Sequence, residues 1–217
     1  MINKDTKIYG SFSREKGNTG TKIFNTCFQY YDLNALYRSF SVDNIGEAVR
    51  AARCLKFAGF AVSMPFKTEI SGYMDVMSEE ASKIGAINTV INKDGVLHGY
   101  NTDYFAARDL LGKFSHKKII ILGNGGYAAA VKAAASNLSL NYKLITRHNW
   151  EQLQSLNNEI IYNCTPVENI DVKKNNVFID GITTTPTGHY LALLQASYQF
   201  KLYTGLDFPL RLNNEIF

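Results

Sequence analysis

Cysteine is scarce in this chain: Cys27, Cys54 and Cys164 are the three among 217 residues. An odd number, widely spaced, excludes a disulfide framework and any Cys-x-x-Cys metal site, so no metal is expected. No stretch approaches the ~20 apolar residues of a membrane span, so no membrane partner is expected. The opening Met1-Ile2-Asn3-Lys4-Asp5 lacks the apolar core of a signal peptide, which makes the cytoplasm the expected setting. Charge of one sign is also scarce. Lys and Arg number 23 against 19 Asp and Glu, a net charge of +4 with no basic run. Nucleic acid is therefore not expected as a partner. Repeats and low-complexity segments are absent. What is present is a globular composition, 46% hydrophobic and 19% charged. The length suits one large domain or two small ones, at ~100–200 residues each.

The hydrophobic period changes repeatedly, as in α/β proteins. Strands are predicted at Thr6–Gly10, Ala35–Phe40, Phe60–Ser63, Ala86–Asn92 and Val96–Tyr100, the last two joined by the hairpin signal Lys93-Asp94-Gly95. Helices are predicted over 21–32, Ile45–Ala58, 78–84 and 103–113, and residues 11–20 read as a loop. Near 112–117 the character shifts, which suggests a domain boundary. Beyond it come the apolar run Ile119–Leu122, an Ala-rich helix to about Leu138, strands Tyr142–Thr146, Ile160–Asn163 and Val177–Asp180, and a last helix at 189–203. That helix is expected to pack back on the first domain.

Gly123-Asn124-Gly125-Gly126-Tyr127-Ala128 matches G-x-G-x-x-G/A between an apolar strand and a helix. The first glycine suits a tight turn and the second lets a pyrophosphate approach the backbone. The helix N-terminus offers N–H groups to the phosphates. A glycine-rich turn without a ligand is the alternative. The following strand ends Leu144-Ile145-Thr146-Arg147. An NAD site usually has an acidic residue here, and Arg147 stands in its place. A cation suits the 2′-phosphate of NADP, although a solvated surface arginine would read the same.

Six segments in order then resemble the shikimate dehydrogenase family, and more closely its shikimate dehydrogenase-like subgroup. They are Ala61-Val62-Ser63-Met64-Pro65-Phe66-Lys67, Gly85-Ala86-Ile87-Asn88-Thr89 and Gly99-Tyr100-Asn101-Thr102-Asp103, then Gly123–Ala130, Asn163-Cys164-Thr165-Pro166 and Gln195-Ala196-Ser197-Tyr198-Gln199-Phe200. The resemblance implies a two-domain α/β fold. A substrate-binding catalytic domain (1–112, with the helix 189–203) precedes a shortened Rossmann-like domain (113–188), with a cleft between them. It implies reversible, NADP-dependent reduction of 3-dehydroshikimate to shikimate, by a monomer or homodimer.

By this resemblance Lys67 and Asp103 form the catalytic pair, and Ser63, Asn88 and Gln195 bind substrate. Gly123, Asn124, Gly125, Gly126, Tyr127, Ala128, Thr146, Arg147 and Thr165 bind cofactor. The chemistry agrees, since reducing a ketone creates an alkoxide that needs a positioned proton donor. Read without the resemblance, Lys67 is a solvated lysine and Asp103 a helix N-cap. Asn101 is expected to order the loop before Asp103.

Two departures stand out. The family's Ser-x-Ser-Pro-x-x-His-Asn carboxylate clamp, counted back from Asn25, would put its serines at Asn18 and Gly20. Ser11 and Ser13 lie seven residues too early, so either the loop folds back or Asn18, Thr21 and backbone N–H groups form the clamp. Secondly, only residues 181–187 separate Asp180 from the final segment, too few for another crossover of at least ~10–12 residues. A trimmed sheet of about four strands is expected, and the family's tyrosine after Asp180 is replaced by Thr183. Quinate or a related hydroxy acid as substrate, or a binding protein without turnover, are the rival readings.

Overall fold

The computed structural model describes residues 2–114 and 118–209. Part of the expected boundary, residues 115–117, lies outside them. The chain divides into two compact units, Met1–Thr102 with Ala196–Phe217, and Asp103–Gln195.

The first unit is built on a six-stranded sheet of order β2-β1-β3-β5-β6-β4. Strands β1 (Lys7–Ser13), β2 (Ala35–Ser41) and β3 (Gly59–Val62) are parallel. Strand β5 (Thr89–Lys93) runs antiparallel to β3, β6 (Val96–Tyr100) antiparallel to β5, and the short β4 (Val76–Met77) pairs with β6. The turn between β5 and β6 has positive φ at both Asp94 (52°) and Gly95 (93°), the backbone that an Asp-Gly hairpin favours.

Period-two alternation sorts the side chains of β1 onto two faces. Phe12, with Phe60 and Val62, packs against Ile45, Ala48, Val49 and Ala52 of helix α2 (Ile45–Cys54). The opposite face carries Tyr9 and Tyr37. It meets Phe24 and Phe28 of α1 (Thr19–Tyr30) and Phe200 and Tyr203 of the last helix, α6 (Pro186–Thr204). The Asn44 side chain caps α2 by accepting from Glu47 N–H at 3.0 Å. Helix α2 ends at Cys54 rather than Ala58. Lys56 takes a left-handed φ of 54°, and Phe57 N–H turns back to Ala52 O at 2.9 Å. Ser78 caps the short α3 (Glu79–Ile84), and Gly85 ends it at φ 69°.

Helix α4 (Thr102–Leu111) opens the second unit at Asp103. Its sheet is fully parallel, of order β10-β9-β7-β8. The strands are β7 (Ile119–Leu122), β8 (Tyr142–Ile145), β9 (Ile160–Asn163) and β10 (Val177–Asp180). Every residue of β7 is fully buried, which suits a central strand covered on both faces. Small side chains of α5 (Gly126–Asn137), including Ala128, Ala130, Ala134 and Ala135, are fully buried. Between β8 and β9 the crossover holds only a 3₁₀ turn, Trp150–Ser155, whose Leu153 packs on Ile120 and Ile145. Among the described residues this sheet has four strands, the trimmed form that the short spacing after Asp180 predicts.

Candidate functional site

In the first unit, the C-terminal ends of β1, β2, β3 and β6 and the start of β5 share one sheet edge. Ser11 and Ser13 are not in a loop: both lie in β1, where pairing with β2 and β3 outweighs their loop-like composition. Ser11 stands in register with Ser39, and Ser13 with Ser41. Thr21, in the first turn of α1, brings its hydroxyl to 3.0 Å from that of Ser39. Burial pushes the Tyr37 phenol well up, and a hydrogen bond from Ser11 offsets part of that. Hydroxyls from β1, β2 and α1 are thus brought together. Asn18 precedes α1 as an exposed residue that makes no side-chain cap, although its carbonyl accepts from Lys22 N–H at 3.0 Å.

Ser63 follows β3 and donates its backbone N–H to Phe12 O at 2.9 Å, which ties it to the end of β1. Lys67 lies in the next turn, where its carbonyl accepts from Ile87 N–H at 2.7 Å. That bond fixes the Lys67 backbone to the segment leading into Asn88. Asn88 is 3% exposed and is held by a polar network. Its Oδ1 accepts from Thr102 N–H at 2.8 Å and from the Thr89 hydroxyl at 2.8 Å, and its Nδ2 donates to Thr102 Oγ1 at 3.0 Å. Thr89 and Thr102 therefore serve the Asn88 amide rather than only their own backbone. Asn101, fully buried, donates to Ala86 O at 2.9 Å and so orders the segment before α4.

In the second unit, Asp103 is buried in the first turn of α4, where a carboxylate meets the positive end of the helix. The hydroxyls of Tyr127 and Tyr162 lie 2.9 Å apart. Burial holds both phenols well above their ordinary range, with Cys164 and the Asp103 charge contributing. The Tyr127 side chain is thus turned toward β9, and a Cβ on Gly181 would meet its ring at 2.6 Å. Gln195, on α6, donates to Ala192 O at 3.1 Å.

The sheet of this unit reverses its strand order between β7 and β9, the place where open α/β sheets bind ligands. Gly123 sits there at φ 97°, and a Cβ would lie 2.9 Å from Thr165 Cγ2. Thr165 is fixed by its hydroxyl donating to Asn163 Oδ1 at 2.7 Å. Gly125 precedes α5, and a Cβ built on it meets nothing within 4 Å. Open space faces the helix N-terminus, whose first turn has no acidic residue. A dinucleotide's pyrophosphate fits these residues. Asn124 accepts from Lys132 Nζ at 2.9 Å on the exposed side of the loop. After β8, the Asn149 side chain accepts from Thr146 N–H at 2.7 Å, making a tight turn with Arg147 exposed at its tip.

Four residues were not legible as site elements. Ser39 and Tyr37 support the hydroxyl group on β1 and α1. Asn163, fully buried, binds Thr165, Val167 and Asp180. Gln199, also buried, donates to Thr89 Oγ1 at 2.8 Å and to Asn88 O at 3.2 Å.

A family model described as the shikimate dehydrogenase substrate binding domain matches residues 19–90. A shikimate dehydrogenase-like protein of Haemophilus influenzae is 31% identical over 251 aligned residues, covering 94% of this chain and 93% of that protein. A shikimate dehydrogenase (NADP(+)) of Methanosphaera stadtmanae is 34% identical over 193 aligned residues, covering 84% of this chain and 66% of that enzyme. Among solved structures, a shikimate 5-dehydrogenase-like protein matches 100% of this chain and 98% of its own, with TM-score 0.82 and 29% identity. With 31% identity across nearly the whole of both chains in the Haemophilus influenzae protein, and a solved structure matched over 98% of its length, the chain belongs to the shikimate dehydrogenase family.

Proposed function

We propose that this protein is an NADP-dependent oxidoreductase that interconverts shikimate and 3-dehydroshikimate. The observation that supports this most is the shared sheet edge of the first unit. It carries Ser63, Lys67 and the Asn88–Thr102 network, and Asp103 follows Thr102 directly in the chain. A full-length relative of the shikimate dehydrogenase-like type and relatives named for NADP(+) support the reaction and the cofactor.

In this reading, residues 1–112 with the last helix serve the substrate, and residues 113–188 serve the dinucleotide. The glycine loop and Arg147 would hold the cofactor, whose chemistry there would be hydride exchange: NADP⁺ would take the hydride from the carbinol carbon of shikimate, and NADPH would return it to the ketone carbon. Lys67 holds the proton at the reacting oxygen, as hydride reduction of a ketone requires a donor within hydrogen-bond reach. Asp103 is the second member of the proposed catalytic pair, a carboxylate that accepts a hydrogen bond from a ring hydroxyl of the substrate. Asn88 and Gln195 bind further hydroxyls, and Ser63 with the hydroxyls of the β1–β2 edge and α1 meets the carboxylate. Gly123, Gly125 and Gly126 admit the pyrophosphate, and Arg147 meets the 2′-phosphate. A cytoplasmic setting belongs to the same proposal and rests on the odd, widely spaced cysteines.

The test is a steady-state screen of shikimate and quinate, each with NADP⁺ and NAD⁺. Saturable NADPH formation with shikimate is expected. Turnover of quinate in preference to shikimate would reassign the substrate. Binding of shikimate without turnover would make the protein a ligand-binding relative.

A further inference from the structure

Gln199 lies in the part of α6 that belongs to the first unit, and it is 3% exposed. A buried amide in an apolar helix needs partners. Its Nε2 reaches Asn88 O at 3.2 Å and Thr89 Oγ1 at 2.8 Å. A backbone carbonyl only accepts, so the first contact fixes which end of the Gln199 amide faces β5. The Thr89 hydroxyl then accepts from Gln199. Its own proton is directed to Asn88 Oδ1, 2.8 Å away.

At Asn88 a second one-way contact closes the chain of bonds. Thr102 N–H can only donate, and it donates to Oδ1 at 2.8 Å. Both lone pairs of Oδ1 are occupied by Thr89 and Thr102. Nδ2 spends one hydrogen on Thr102 Oγ1 at 3.0 Å. The second Nδ2 hydrogen has no partner among the described residues. Every bond in the series Gln199→Thr89→Asn88 points one way, and hydrogen bonds aligned in this manner reinforce one another.

We propose that Gln199 is a positioning residue: acting through Thr89, it sets the Asn88 side chain so that an N–H, not an oxygen, meets a ring hydroxyl of the substrate. The proposal rests on the shikimate reading above. It gives α6 a role in substrate orientation separate from that of Gln195. It also defines the bound hydroxyl as an acceptor at this point, so that hydroxyl's own proton is directed elsewhere.

The test compares Gln199→Met, Gln199→Glu, Thr89→Val and Thr89→Ser. Gln199→Met keeps length and apolar contact but loses the donor. It should raise KM for shikimate by about fivefold, the scale of one neutral hydrogen bond, while kcat and KM for NADP⁺ change less than about twofold. Gln199→Glu should be worse, because an ionised carboxylate accepts the Thr89 proton and reverses the series. Thr89→Val should match Gln199→Met, the double variant should add nothing further, and Thr89→Ser should restore the wild-type KM. An unchanged shikimate KM in folded Gln199→Met, or effects that multiply in the double variant, would overturn the proposal. If Gln199→Met does not fold, the contrast of Thr89→Val with Thr89→Ser carries the same test. If the wild type turns over no shikimate, the functional reading fails instead. The series is then read from the Asn88 side-chain amide NMR signals, which should shift in both Gln199→Met and Thr89→Val. Signals that stay in place would overturn it.

Discussion

The hydroxyls of Thr21 and Ser39 meet at 3.0 Å, joining the first turn of α1 to the end of β2. Ser39 in turn stands in register with Ser11. Under the proposed function, the substrate carboxylate meets a hydroxyl on α1 backed by strand residues, a clamp that needs no serine at positions 18 and 20. We predict that Thr21→Val raises KM for shikimate by about tenfold, with KM for NADP⁺ unchanged, as a charge-assisted bond is lost. Steady-state kinetics with each ligand varied checks this. If Ser11→Ala has that effect and Thr21→Val has none, the carboxylate binds on β1 instead.

Arg147 stands exposed at the tip of the turn after β8, a turn closed by Thr146 N–H donating to the Asn149 side chain. Arg147→Ala should raise KM for NADP⁺ by about tenfold or more and leave that for NAD⁺ within about twofold, because only the former carries a 2′-phosphate. Equal changes for the two cofactors would remove Arg147 from the phosphate site.

The three cysteines should separate in reactivity. Cys54 is exposed and Cys27 fully buried, with burial pushing the Cys27 thiol up to about 12. The thiolate is the reactive form, so at neutral pH Cys27 is both protonated and inaccessible. A thiol reagent followed by mass spectrometry should modify Cys54 first and Cys27 only after unfolding. Cys164 adjoins Gly123, its carbonyl oxygen 3.5 Å from where a Cβ on that glycine would stand. NADP⁺ should therefore slow its modification. Unchanged labelling of Cys164 at saturating NADP⁺ would argue against the dinucleotide at this loop.

The parts of the fold set by local pattern were legible in the sequence. The Asp94-Gly95 hairpin, the apolar β7 followed by glycines, and the four-strand limit of the second sheet all follow from spacing and turn chemistry. Tertiary pairing hid the rest. Ser11 and Ser13 read as loop by composition, yet β1 is flanked by β2 and β3 and keeps them extended. Lys56 ends α2 in a left-handed conformation that its residue type does not announce. Strand β4 has two residues and no periodicity to detect. Among the candidate site residues, the glycine loop and the Asn88 and Asp103 segments stood out through motifs. Gln199 did not, because a glutamine within a helix looks solvent-facing until its partners on β5 are known.

The most direct measurement is the initial rate of NADPH formation from shikimate and NADP⁺, taken side by side for the wild-type chain, Lys67→Ala and Asp103→Ala. The wild type should saturate in both ligands. Each variant should lose roughly 10²-fold or more in turnover, the usual scale for a positioned proton-transfer group, while still binding NADP⁺. No NADPH above background from the wild type, or variants as fast as the wild type, would contradict the account.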